Sequence, residues 1–136
     1  MGAIEALFTQ AAKARMNAHA PYSGFAVGAA LRTKSGAVFS GANVENAAYP
    51  NGTCAETAAI AAMVTAGERR IAELLVIGTG EALVTPCGAC RQRIAEFAEK
   101  EAQIFIADLN GVRRIFTLGE LLPEAFRPAL PKARTP

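Results

Sequence analysis

The sequence has few cysteine, histidine and aromatic residues. It contains three cysteines, one histidine and no tryptophan among 136 residues, and aromatic residues make up 7%. So few cysteines, and an odd number of them, do not form the framework of a small disulfide-rich secreted domain. Metal binding or catalysis is therefore the main role to consider for these thiols.

The sequence also lacks a strong charge of either sign and any long hydrophobic run. Lysine and arginine total 14 and aspartate and glutamate total 12, a net charge of +2 with both signs mixed along the chain. This charge pattern gives no support to an extended basic surface for nucleic acid. No apolar run is long enough to span a bilayer, and the first residues lack the pattern of a signal peptide. We expect a cytoplasmic protein that binds neither nucleic acid nor membrane.

The apolar content is high enough for a compact core. Hydrophobic residues make up 51% of the chain and charged residues 19%, which excludes a disordered protein. The length fits one domain over residues 1–136, and the proline-rich end, from about residue 128 to 136, is expected to form a loosely ordered tail.

Hydrophobic periodicity predicts helices alternating with strands. Helices are predicted over 2–18, 54–66 and 87–99, a short helix within 119–126, and strands over 25–33, 37–44, 74–80, 102–109 and 112–118. The wholly apolar 74–80 segment is typical of a strand covered on both faces. This order predicts an α/β protein with one mixed sheet between layers of helices.

All three cysteines lie where a predicted helix begins. Cys87 and Cys90 are one helical turn apart, and Cys54 opens another helix, for which Thr53 is the predicted N-cap. Helix N-termini stabilise thiolates, the metal-binding form of cysteine. Three protein ligands with an open fourth position are typical of catalytic zinc. His19, the only histidine, is predicted to be a surface residue rather than a ligand.

Glu56 follows Cys54 by two residues. A carboxylate beside a zinc ion can accept a proton from an activated water and pass it to a leaving amine. The alternative is that Glu56 only favours the helix dipole. A thiol redox protein or a purely structural zinc domain would leave Glu56 unexplained, so the constellation favours a hydrolytic enzyme.

Five segments in order and spacing carry a family resemblance. They are APYSGFAVGAAL, GANVENAAYP, TCAE, TPCGACRQ and ELLPEAF, between residue 20 and about residue 127. The chain resembles the homotetrameric, zinc-dependent cytidine deaminases that act on free nucleosides. The resemblance implies a three-layer α-β-α sandwich with a five-stranded mixed sheet and one zinc ion per subunit. It also implies hydrolysis of cytidine and 2′-deoxycytidine to uridine and 2′-deoxyuridine plus ammonia, in pyrimidine salvage.

The resemblance also implies roles for the residues of the site. Cys54, Cys87 and Cys90 would hold zinc and Glu56 would be the catalytic acid and base.

The nucleoside-binding residues are likewise implied by the resemblance. Asn43 and Glu45 would bind the ribose 3′ hydroxyl, and Phe25 would line the pocket. The backbone of Ala55 would contact the pyrimidine, and that of Thr85 would flank the amine.

Two aromatic residues would complete the pocket between subunits. Phe126 would reach the base in a neighbouring subunit, and Tyr49 would lie near the shared site. Isolated monomers would then have incomplete pockets.

One position departs from the family pattern. The family commonly has arginine directly after the catalytic glutamate, where this chain has Thr57. Such an arginine would offset the negative charge of three thiolates on one zinc ion, whereas Thr57 offers only a neutral hydroxyl. Arg91 matches another family position and is the expected source of part of the compensation. Local repacking around Thr57 is the alternative.

Two other substrate classes are compatible with the zinc motifs. Deaminases of modified nucleosides, such as blasticidin S, share the zinc motifs, but Asn43, Glu45 and Phe126 favour ordinary nucleosides. Editing of a polynucleotide is disfavoured because the chain is small and has no basic stripe.

Overall fold

The computed structural model describes residues 2–128. The helices are α1 (Ala3–Arg15), α2 (Ala55–Thr65), α3 (Gly88–Phe97) and α4 (Leu118–Leu121), with a 3-10 turn at Tyr49–Asn51. The strands are β1 (Gly28–Thr33), β2 (Val38–Ala42), β3 (Ile71–Ile77), β4 (Ala98–Asp108) and β5 (Gly111–Thr117). The predicted tail beyond residue 128 lies outside the described residues.

The strands form one mixed sheet of five strands in the order β2-β1-β3-β4-β5. Strands β3 and β4 are parallel, and the other neighbouring pairs are antiparallel. A parallel pair needs a crossover connection, and α3 provides it between β3 and β4. The predicted five-stranded mixed sheet is confirmed.

Both faces of the sheet are covered by helices. Leu75 and Ile77 of β3 pack on the face where α1 contributes its buried side chains. Leu74 and Val76, which alternate with them, pack on the opposite face with side chains of α2, α3 and α4. Burial on both faces accounts for the continuous apolar run over residues 74–77 of β3, and the helices on both faces confirm the three-layer α-β-α architecture.

Several element boundaries differ from the predictions. Strand β3 begins at Ile71 rather than at residue 74 and ends at Ile77, because the following residues, including Gly80 with φ of 115°, form a loop. Helix α3 ends at Phe97, where the chain turns directly into β4 through extended backbone at Ala98. A short connection of this kind carries no proline or glycine signal, so the sequence pattern does not reveal it.

The start of α2 also differs by one residue. The N-cap is Cys54, not Thr53, and the Cys54 side chain makes no capping hydrogen bond. Thr53 instead pairs with Val44 through two backbone hydrogen bonds of 2.9 Å, which keep it extended. The Cys54 side chain, a predicted metal ligand, therefore lies at the N-terminus of the helix itself.

Helix α2 is held close to the sheet at Gly41 of β2. A Cβ atom at Gly41 would lie 2.5 Å from the Ala59 nitrogen and 2.6 Å from the Ala58 Cβ. Gly41→Ala is therefore expected to lower stability by about 1–3 kcal/mol through overpacking. Thermal unfolding should show a Tm lower by roughly 5–10 °C.

Gly88→Ala is the matched control, because a Cβ at this exposed position of α3 has no neighbour within 4 Å. Equal Tm values for the two variants would contradict the close approach of α2 to β2.

Candidate active site

Helices α2 and α3 bring the three cysteines together at their N-terminal ends. Cys54 is the N-cap of α2, Cys87 is the N-cap of α3, and Cys90 lies in the first turn of α3. Their sulfur atoms all lie within 4.8 Å of one another, and those of Cys54 and Cys87 are 3.7 Å apart. Tetrahedral zinc with Zn–S bonds of about 2.3 Å needs sulfurs about 3.8 Å apart. The donor set and its spacing therefore fit a zinc ion.

The cysteines form the one cluster of three or more metal-binding side chains within residues 2–128. His19 lies elsewhere, exposed, with its backbone paired to Asn43 and Glu45. The predicted surface position of His19 is confirmed. Three sulfurs without a fourth protein ligand leave one coordination position for water or substrate.

The three thiols differ in burial and in acidity. Cys90 is fully buried, Cys54 is half-buried and Cys87 is exposed. Burial raises the pKa of the Cys90 and Cys54 thiols above their ordinary value. Burial alone would also raise the pKa of Cys87, but hydrogen bonds, led by one from the Cys90 backbone N–H, bring it below the ordinary value. The exposed thiol is thus the most acidic of the three and faces the solvent side of the cluster.

Glu56 lies in the first turn of α2, only 4% exposed, beside the cysteine cluster. Burial raises the pKa of its carboxyl group, while its backbone N–H and the positive charge of Arg93 act in the opposite direction. A carboxyl group with a raised pKa exchanges protons more readily near neutral pH than an exposed one.

A cleft of about 340 Å³ opens over Glu56, Cys54 and Cys87. Its volume is in the range of small-molecule sites. The expected substrate-binding residues that line it are Phe25, Asn43, Glu45, Tyr49, Ala55 and Thr85. The cleft is also lined by three aliphatic residues that were not predicted, Val27, Val44 and Val84. Val44 and Val84 lie in segments that read as a strand end and a loop, so no periodicity distinguishes them.

Asn43 fixes the chain segment that carries Phe25. Its side-chain oxygen accepts a hydrogen bond from the Val27 N–H at 2.9 Å, and its nitrogen donates to the Phe25 carbonyl at 2.9 Å. One amide hydrogen and one lone pair remain for a ligand. Sequence analysis did not foresee this second role, since the partners are 16 and 18 residues away.

Glu45 is held by the turn that follows α1. One carboxylate oxygen accepts hydrogen bonds from the Tyr22 N–H at 2.9 Å and the Ser23 N–H at 3.1 Å, and the other accepts one from the Ser23 hydroxyl. The Ser23 hydroxyl is the main cause of a pKa lower than the ordinary value for Glu45. The second oxygen keeps a free lone pair for a donor in the cleft.

The two aromatic residues expected at a shared site are both exposed. Tyr49 lines the cleft, is 75% exposed and meets Tyr22 edge-on, with ring centroids 5.8 Å apart. Phe126 is also 75% exposed and is absent from the cleft lining. The Gln92 side chain donates a hydrogen bond of 2.9 Å to the Phe126 carbonyl, which ties this segment to α3.

Arg91 supports the loop before α3 instead of contacting a sulfur. It donates to the carbonyls of Pro86 at 2.7 Å and Leu121 at 2.9 Å, and to the Thr85 hydroxyl at 3.2 Å. This differs from the expectation that Arg91 compensates the thiolate charge. Its contacts instead hold Thr85 at the edge of the cleft.

Two other side chains reach the buried sulfur. The Thr57 hydroxyl oxygen lies 3.6 Å from the Cys90 sulfur, and the Arg93 Nη1 atom lies 3.9 Å from it. The contact of Arg93 was not predicted. The sequence pattern that could have indicated this contact is the three-residue spacing between Cys90 and Arg93, which places the two side chains on one face of a helix.

Within residues 2–128, no helix combines the length and the apolar character required to cross a bilayer.

Comparison with known proteins identifies the family. Residues 1–106 match the family described as the cytidine and deoxycytidylate deaminase zinc-binding region. A curated cytidine deaminase of Sporosarcina psychrophila is 42% identical over 123 residues, which cover 90% of each chain. The crystal structure of a cytidine deaminase from Burkholderia pseudomallei has a TM-score of 0.86 at 42% identity and covers 93% of this chain and 100% of its own. The crystal structure of the cytidine deaminase from Mycobacterium tuberculosis has a TM-score of 0.79 at 36% identity. The match covers 93% of this chain and 99% of that structure's chain. The chain therefore belongs to the cytidine and deoxycytidylate deaminase zinc-binding family.

Proposed function

We propose that the protein is a zinc-dependent cytidine deaminase. It hydrolyses cytidine and 2′-deoxycytidine to uridine and 2′-deoxyuridine plus ammonia, in pyrimidine salvage. The observation that carries this proposal is the buried Glu56 carboxyl group beside three converging cysteine sulfurs at one cleft.

Cys54, Cys87 and Cys90 are the proposed ligands of one zinc ion per subunit. Bound zinc supplies a Lewis acid that makes water acidic at its open coordination position. Glu56 would take one proton from the attacking water and pass it to N3 of the cytosine ring, while the water oxygen forms a bond to C4. Glu56 would then take the proton of the new C4 hydroxyl and pass it to the amine, which leaves as ammonia as the C4–N bond breaks and C4 becomes a carbonyl. One carboxyl group can perform both transfers because burial keeps its pKa above the ordinary value.

The ribose side of the cleft is the proposed specificity element. Glu45 accepts a hydrogen bond from the 3′ hydroxyl with its free lone pair, and Asn43 donates its remaining amide hydrogen to the same hydroxyl. Phe25 lines the pocket beside the sugar and base. The backbone of Ala55 binds the pyrimidine, and that of Thr85 flanks the amine.

We further propose a single domain that assembles as a homotetramer with shared active sites and works in the cytoplasm. The exposed side chains of Tyr49 and Phe126 support a shared pocket, because large exposed aromatic groups are typical of interfaces. Three unpaired cysteines support a reducing compartment.

Ultraviolet absorbance tests the proposed reaction. Zinc-loaded protein is mixed separately with cytidine, 2′-deoxycytidine, cytosine and blasticidin S. We expect loss of the cytosine absorbance with the two nucleosides and little change with free cytosine, which lacks the ribose. Turnover of blasticidin S alone would assign the chain to the modified-nucleoside deaminases, and no turnover at all would contradict an enzymatic role.

The contact between Ser23 and Glu45 predicts a pH dependence of substrate binding. The Ser23 hydroxyl lowers the pKa of Glu45, so the carboxylate persists to more acidic pH in the natural protein. Ser23→Ala should raise that pKa, and KM for cytidine should then begin to rise at a higher pH. Protonation removes the negative charge of the hydrogen-bond acceptor, so KM should increase roughly tenfold at the acidic end.

Ser23→Thr retains the hydroxyl and is the matched control, while Glu45→Gln should show a high KM without this pH dependence. Superimposable KM profiles for the natural protein and Ser23→Ala would refute the role of this contact.

A further inference from the structure

The Cys90 sulfur receives a side chain from each of the two helices that form the cluster. Thr57 lies three residues after Cys54 on α2, and Arg93 lies three residues after Cys90 on α3. Their polar atoms approach the same sulfur, at 3.6 Å for the Thr57 hydroxyl and 3.9 Å for Arg93 Nη1. Each of the two side chains lies one helical turn after a cysteine of the cluster, Thr57 after the N-cap of α2 and Arg93 after Cys90 in the first turn of α3.

The two side chains differ in charge. Three thiolates around a divalent zinc ion leave one uncompensated negative charge. The Cys90 sulfur is fully buried, where such a charge is costly. The Thr57 hydroxyl is neutral and offsets none of it, whereas a guanidinium group is always protonated in proteins. Of this pair, only Arg93 can neutralise the cluster.

Arg93 has few other polar partners within the described residues, although its positive charge also acts on the Glu56 carboxyl group. Arg91, the neighbouring arginine of α3, uses its guanidinium on the carbonyls of Pro86 and Leu121 and the Thr85 hydroxyl. Arg93 forms no ion pair with a carboxylate among residues 2–128. The one hydrogen bond of its side chain in this part of the chain goes to the Cys90 sulfur.

We propose that Arg93 is the positioning residue that offsets the charge of the three-sulfur zinc centre. Its guanidinium donates a hydrogen bond to the Cys90 sulfur and strengthens zinc retention. This inference rests on the zinc site of the proposed function, and it assigns to α3 the cation that Thr57 does not supply from α2.

Zinc loss to an excess of a colorimetric chelator tests this role. Full-length zinc-loaded protein is compared with Arg93→Gln, Arg93→Lys and the double variant Thr57→Arg/Arg93→Gln at low salt. Loss of such a neighbour of a metal ligand costs roughly 10–100-fold in affinity, so we expect Arg93→Gln to release zinc about tenfold faster. Arg93→Lys should stay closer to the natural protein. The double variant should recover slow release, because an arginine at position 57 approaches the same sulfur from α2.

Arg70→Gln is the matched control, since it removes the same charge from an exposed position outside the cleft. Equal release rates for Arg93→Gln and Arg70→Gln would overturn the proposal. So would fast release that neither Arg93→Lys nor the double variant slows, which would indicate a structural defect in α3. If the natural protein bound no zinc, the proposed function itself would be overturned. This result differs from equal release rates in the two variants, so failure of the function and failure of the Arg93 proposal can be told apart.

A cobalt-substituted protein gives a second readout. Removing a positive charge beside a thiolate raises the energy of the sulfur electrons. The sulfur-to-cobalt charge-transfer band should therefore shift to longer wavelength in Arg93→Gln and return in Arg93→Lys. An unchanged band in Arg93→Gln would contradict the contact.

Discussion

Glu56→Gln is expected to reduce kcat for cytidine by about 10⁴-fold, the upper range for loss of general acid–base catalysis. Glutamine has the same shape as glutamate, so it fills the buried position of Glu56 without leaving a cavity. It cannot accept a proton, and both proposed proton transfers depend on this one carboxyl group. Steady-state absorbance kinetics measures the effect.

Zinc content and thermal unfolding are the controls for this variant. Both should match the natural protein, since Glu56 is not among the clustered sulfur ligands. A kcat within tenfold of the natural value, with zinc bound, would show that Glu56 serves only the helix dipole.

Cys54→Ser is expected to abolish activity by a different route, through loss of zinc. The zinc-binding free energy of structural sites is about 10–16 kcal/mol, shared among the ligands. Loss of one ligand should therefore lower zinc affinity by roughly a hundredfold or more. Serine is among the preferred N-cap residues, and the Cys54 side chain makes no capping bond, so α2 should begin as before. The variant therefore separates metal binding from helix formation. Zinc analysis after dialysis and the cytidine assay measure the effect.

Thr53→Ser, at the adjacent cleft residue, is the matched control and should retain zinc and activity. If Cys54→Ser kept one zinc ion and full turnover after dialysis, Cys54 would not be a required ligand.

The metal cluster was the most predictable part of the molecule. Cysteines that open helices are separated along the chain, yet both helix starts carry the same pattern, and the structure brings the sulfurs within 4.8 Å. Strand β3 was equally clear, because burial on both faces makes its C-terminal half, residues 74–77, wholly apolar. Signals of this kind depend on residues within one element.

The supporting contacts were less predictable because they join distant segments. Arg91 directly follows Cys90, but consecutive helix residues point about 100° apart, so adjacency does not bring a side chain to the sulfur. Arg93, at a spacing of three, does reach it. The bonds of Asn43 to the segment around Phe25, and of Glu45 to Ser23, depend on how loops meet at the sheet edge. Contacts between such distant loops leave no pattern in the local sequence.

Titration of metal-free protein with zinc tests the central claim most directly. Cytidine turnover is measured at each addition, together with bound zinc. We expect turnover to rise linearly with bound zinc and to reach its maximum at one zinc ion per chain, with ammonia and uridine released in equal amounts. Turnover by the metal-free protein, or a fully loaded chain that leaves cytidine unchanged, would contradict it.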